Sequence, residues 1–130
     1  MKLTAHFSDT ETVCRCSCGY NAPSAKLLRL AEKIRAAIGA PMIVHCVCRC
    51  PEHNKAVGGA PKSLHLLGQA MDFHVQGLNP WAAAGHVFAA YLLGDLPELG
   101  GIGVYDWGLH IDVRENLTGK ITVWKGNTTK

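Results

Sequence analysis

At 130 residues the chain has the length of one domain and enough of it to bury a core. Apolar residues at 48% and charged residues at 18% exclude a disordered polymer. The net charge of +3 comes from thirteen Lys and Arg against ten Asp and Glu, spread without any basic run, which excludes a track for nucleic acid.

No stretch nears the ~20 apolar residues of a membrane helix. The opening from Met1 to Asp9 carries one Lys and no apolar segment behind it, so it does not read as a secretory signal. The expectation is a chain made in the cytoplasm, which reaches any substrate outside the membrane only after release or export. A monomer is expected.

The first feature along the chain is a cysteine run, Cys14-Arg15-Cys16-Ser17-Cys18, echoed later by Cys46-Val47-Cys48-Arg49-Cys50. On a strand, alternate residues share a face at roughly 6.6 Å, near the upper limit for a disulfide, so bonds between the runs are easier than bonds within either. Three readings stay open: disulfides between the runs, a structural metal held by four thiolates, or reduced thiols packed as small apolar groups.

Asn21-Ala22-Pro23-Ser24 then reads as a loop ending in an N-cap serine. Leu27, Leu28, Leu30, Ala31, Ile34, Ala37 and Ile38 recur at helical spacing, and Gly39 supplies the stop. Beyond Pro41, the run from Met42 to Cys48 predicts a buried strand. Residues 49–64, centred on Gly58-Gly59-Ala60-Pro61, predict a long loop of the kind that often carries function.

Strand character resumes from Ala70 to Val75, and Asn79-Pro80 opens a second helix that runs through Trp81, Val87, Phe88, Tyr91 and Leu92 to about Gly94. Two strands, Gly101 to Tyr105 and Leu109 to Arg114, flank a tight turn at Asp106-Trp107-Gly108, and Ile121 to Trp124 supplies a last one. Together these predict one α+β domain over residues 1–130, with a small, mainly antiparallel sheet and two principal helices. The Cys-rich segment 1–23 is expected to pack on it.

Chemistry concentrates after the first helix. His65 and Asp72 stand seven positions apart, with Gly68 between them to turn the chain so that both can face one point; His110 follows on a later strand. Two imidazoles and a carboxylate, with a fourth position left for water, are the ligand formula of a catalytic zinc. Spacing alone does not choose them, because His45, His74 and His86 are also present.

The pattern Ser63-x-His65-x-x-Gly68-x-Ala70-x-Asp72, with His110-x-Asp112 later, resembles the zinc D-alanyl-D-alanine peptidases, VanX- and VanY-like enzymes whose fold is shared with the hedgehog signalling domain. The similarity extends to their short phage and prophage members. It covers residues from about 5 to 115 and includes His6 to Glu11, Arg49-Cys50-Pro51-x-His53-Asn54, Ala56 to Ala60, and the Gly-Gly-Ile-Gly-x-Tyr stretch from Gly100 to Tyr105.

The resemblance implies one catalytic zinc on His65, Asp72 and His110, and hydrolysis of a peptide bond in peptidoglycan, whose peptide is then the partner. It implies a cationic role near the substrate carbonyl for Arg49 and substrate contact for Ser63. Asp106, four positions before His110, is the expected general base, with Asp112 next or, alternatively, orienting a ligand. A catalytically silent zinc-binding module is the second reading, and a redox role for the cysteines a third.

Relatives carry Ser-Gly-Tyr-Arg where this chain has Cys46-Val47-Cys48-Arg49, which removes the usual tyrosine. The cysteine runs are therefore expected to clamp the amino-terminal segment against Arg49.

Overall fold

Five strands form one sheet in the order β1-β2-β4-β3-β5, from Met42–Cys46 (β1), Ala70–Val75 (β2), Gly101–Tyr105 (β3), Gly108–Asp112 (β4) and Thr122–Lys125 (β5). All neighbours are antiparallel except β5, which runs parallel to β3. The computed structural model describes residues 1–126, so the last four residues of the expected 1–130 span lie outside it. The architecture is the predicted α+β class with a mainly antiparallel sheet.

Two longer helices cover one face of the sheet. Asp9–Thr12 is a single turn (α1), and Ala25–Ile38 (α2) follows, with the Ser24 hydroxyl accepting from the Leu27 N–H and Gly39 ending the helix at a φ of 72°. Leu27, Leu30, Ala31 and Ile34 of α2 are fully buried, each larger side chain stabilising the fold by about 1.5–3 kcal/mol relative to exposure. Pro80–Leu92 (α4) starts where Asn79 accepts from the Ala82 N–H. It buries Ala83, Ala84, Val87 and Ala90, while Trp81 and Leu92 of the predicted apolar set face outward.

The sheet alternates strictly. Met71, Phe73, Ile102, Val104, Leu109 and Ile111 point into the helix-covered core, so the residues between them, Asp72, Gly101, Gly103, His110 and Asp112, share the other face. That face carries the polar chemistry.

Two elements differ from expectation. The strand predicted to reach Cys48 ends at Cys46, after an irregularity in the β1–β2 ladder. The Cys48 N–H bonds instead to the Thr12 carbonyl, and the Arg49 N–H to the His65 carbonyl. Within the predicted loop, Pro51–Ala56 forms a short helix (α3), with the Cys50 sulfur accepting from the His53 N–H and Pro51 in the first turn. Six residues without an apolar period give a hydrophobicity reading nothing to detect. Among the described residues, no helix is long and apolar enough to cross a membrane.

Candidate metal centre

The β2–β4 register places Asp72 directly opposite His110. Their side chains therefore rise side by side from the polar face, and His110 Nδ1 lies 2.8 Å from Asp72 Oδ1. His65 arrives from a 3-10 turn, Leu64–Leu67, that Ser63 caps by accepting from the His65 N–H. Gly68 ends this turn at a φ of 66°, a conformation glycine adopts without strain. A side chain at that position would also strike the Ala22 carbonyl. The chain thus reverses into β2 with His65 Nε2 at 3.2 Å from Asp72 Oδ2.

Each histidine is oriented by its second nitrogen. His65 Nδ1 sits 2.8 Å from the Val47 carbonyl, which accepts only from a protonated nitrogen and so leaves the lone pair on Nε2. His65 Nε2 is buried and makes no hydrogen bond of good geometry, although the carboxylate is close. His110 Nε2 lies 2.8 Å from Asp112 Oδ2, which turns Nδ1 toward Asp72. A buried nitrogen with its lone pair aimed at a carboxylate and a second imidazole fits a divalent cation, and the ligand atoms of His65, Asp72 and His110 all lie within 4.8 Å of one another.

The electrostatics point the same way. Burial opposes ionisation of Asp72, yet the two histidines hold its carboxyl well below the usual carboxylate range. Burial also disfavours a charged His65, but Asp72 and Cys46 carry it up to about 9, so a metal ion at Nε2 would take the place of a proton. A site that draws positive charge this strongly between its carboxylate and imidazoles suits a divalent cation.

Around this centre opens a cleft of about 660 Å³, lined by Arg49, Ser63, Tyr105, Trp107 and Trp124 among others. Arg49 is 6% exposed and its Nη2 stands 4.0 Å from Asp72 Oδ2. Asn54 holds the guanidinium by accepting from Nη1 at 2.9 Å and anchors itself by donating to the Ala60 carbonyl. The backbone of Gly59 passes so close that a Cβ there would collide with Asn54 and Arg49. The glycine-rich loop is therefore a backing for the arginine.

The glycines of β3 have a similar reason. Gly101 faces Asp112 and Gly103 faces His110 across the β3–β4 ladder. A Cβ on Gly101 would come within 2.8 Å of both Asp112 oxygens, and one on Gly103 would meet the Trp124 indole. Without it, Trp124 lies over β3, its ring centroid 5.2 Å from that of His110, and donates to the Tyr105 hydroxyl.

The predicted site residues divide. His65, Asp72, His110, Arg49 and Ser63 meet in the cleft. Asp112 is fully buried beneath His110 and also takes two side-chain bonds from Arg114, at 2.9 and 2.7 Å. Burial works against its charge, but His110 and Arg114 lower its pKa to about 2. A carboxylate so engaged orients His110, and Asp112→Asn is expected to weaken zinc affinity about 10–100-fold with the fold retained. Zinc titration against a competing chelator, alongside circular dichroism, measures both.

Asp106 is not brought to the cleft. It is exposed at the β3–β4 turn and lines a separate, smaller cavity with His74 and Leu78. Sequence reasoning missed Asn54 and Trp124; the signal for Asn54 lay in the Arg-Cys-Pro-x-His-Asn segment, whereas nothing local marked Trp124.

Comparison with known proteins agrees with this geometry. No curated protein matches the chain significantly. A family model described as Peptidase M15 matches residues 5–112, a span that contains the three converging side chains, Arg49 and Asp112. A match over that span places the chain in the Peptidase M15 family of zinc metallopeptidases.

Proposed function

We propose that the chain is a zinc-dependent peptidase that hydrolyses a peptide bond in the stem peptides of bacterial peptidoglycan, as a D,D-carboxypeptidase or endopeptidase of the phage-lysin type. The observation that carries this reading is the convergence of His65 Nε2, the Asp72 carboxylate and His110 Nδ1 at the floor of a cleft that also contains a buried arginine. Zinc on these three residues supplies a water activated for attack near neutral pH and polarises a carbonyl.

The remaining work belongs to the chain. Arg49, locked by Asn54, presents a fixed cation where negative charge develops on the carbonyl oxygen. Ser63 accepts from the His65 N–H, which leaves its hydroxyl hydrogen for a substrate acceptor. Lys62, Arg114 and Lys125 at the cleft give it a positive field suited to a peptide bearing carboxylates.

Asp106 stays outside this reacting set. Asp106→Asn is expected to keep kcat within about threefold, whereas a general base would cost on the order of a hundredfold or more.

One observation favours the silent-module reading: among the described residues, Asp72 is the only acid lining the cleft, and both histidines engage it. Mass spectrometry of zinc-loaded protein with two substrates decides between the readings. The substrates are a stem peptide ending in D-Ala-D-Ala and a cross-linked dimer of stem peptides. Release of terminal D-Ala identifies a carboxypeptidase and cleavage of the cross-link an endopeptidase. Zinc binding without either product would overturn the proposal in favour of the silent module.

A further inference from the structure

The cysteines do not divide into the two runs read along the sequence. Cys46 and Cys48 stand apart, the first 3.5 Å from His65 Nδ1 and the second accepting from the Ala22 N–H. Cys50, from the second run, joins Cys14, Cys16 and Cys18, and the four sulfurs lie within 4.8 Å of one another. The residues carrying the first run are irregular backbone, not a strand, so alternate side chains curl toward one point.

From these four side chains we infer a second, structural zinc site, formed by Cys14, Cys16, Cys18 and Cys50 and distinct from the centre on His65.

Distances support it first. Cys16 Sγ lies 3.5 Å from Cys14 Sγ and 3.6 Å from Cys50 Sγ. Four thiolates at ~2.3 Å from a tetrahedral zinc stand about 3.8 Å apart, so the cluster already has nearly the spacing of a filled site. All six cysteines are free, and these separations are far wider than a covalent sulfur–sulfur bond.

The backbone supplies a second, independent argument. Cys14 accepts an N–H bond from Cys50 at 3.4 Å, Cys18 from Tyr20 at 3.3 Å, and Cys50 from His53 at 3.4 Å. Gly19, at a φ of 82°, makes the turn that aims the Tyr20 N–H back at Cys18. Donors directed at sulfur stabilise negative charge on it, which a thiolate ligand has and a thiol lacks.

Four thiolates close the coordination sphere, so this ion is structural and takes no part in hydrolysis. Its effect is positional. Cys50 directly follows Arg49 and caps α3, whose Asn54 holds the guanidinium. The ion would thus tie the amino-terminal segment to the base of the arginine, a clamp made with one cysteine of the second run instead of three.

Elemental analysis of purified full-length chain, expressed with zinc and kept reduced, tests the inference without relying on activity. Two zincs per chain are expected, falling to one in His65→Ala and to one in Cys18→Ser. Cobalt substitution in His65→Ala is expected to give the intense sulfur-to-metal charge-transfer absorption of a thiolate site, which keeps the test decisive even if Cys18→Ser does not fold. A single zinc in the wild type with none left in His65→Ala would overturn the inference, as would disulfide-linked peptides joining these cysteines in a non-reducing digest. Two zincs in a protein that cuts no peptide would contradict only the peptidase reading.

Discussion

His65→Ala is expected to lose the zinc of the cleft and to reduce peptide hydrolysis to the rate of chelator-treated wild type. Of the three proposed ligands, His65 has the geometry that leaves it least else to do: its Nδ1 is engaged by the Val47 carbonyl and its buried Nε2 makes no good hydrogen bond. Removing it leaves Asp72 with one imidazole in a site built around two. The residue is 3% exposed, so truncation also opens a cavity. His65→Gln, which keeps most of the volume, separates the two effects. It is expected to fold like the wild type by circular dichroism while binding zinc weakly and turning over no substrate. Wild-type turnover in either variant would remove His65 from the metal centre.

Arg49→Ala is the second large effect, and it falls on rate instead of metal content. A buried, preorganised cation aimed at a developing oxyanion is worth about 10²–10³ in kcat. Asp72 is 4.0 Å from the guanidinium and the ligands themselves remain in place, so zinc stoichiometry is expected to hold. Arg49→Lys keeps the charge but loses the fork that binds Asn54, and should recover only part of the rate. Steady-state kinetics on a stem peptide, with zinc measured on the same samples, distinguishes the outcomes. A kcat within threefold of wild type in Arg49→Ala would show that the arginine has no part in the chemistry.

The legible and illegible parts of this molecule separate by range. Helix α2 was readable because its period, its serine cap and its terminal glycine are all local signals that agree. The strands were readable from composition, but their partners were not. The adjacency of Asp72 and His110 depends on how β2 and β4 slide against each other, and a shift of one residue would have sent His110 into the core. The choice of His65, Asp72 and His110 rested on the resembled motif more than on spacing.

Asp106 shows the same limit in reverse. A count of four positions before His110 makes it a candidate base, yet it occupies a two-residue turn, where neighbouring side chains diverge. Tyr105 and Trp107 stack with their rings 4.8 Å apart and line the cleft, while Asp106 lines another cavity. Which cysteines come together was not legible for a related reason. Their pairing follows the path of irregular backbone around Cys14 to Cys18 and the cap of a six-residue helix, neither of which leaves a periodic trace.

Some motif positions gained a physical meaning only in three dimensions. Gly59, Gly101 and Gly103 are spaces that Arg49, Asp112 and Trp124 fill, so the glycines serve the site through what they lack.

The most direct test of the account follows a D-Ala-D-Ala stem peptide with wild-type protein as purified, after chelation, and after zinc is restored, with His65→Ala in parallel. Hydrolysis that is lost on chelation, returns with zinc and never appears in His65→Ala is the expected result. Hydrolysis that survives removal of all zinc, or proceeds at the wild-type rate in His65→Ala, would contradict it.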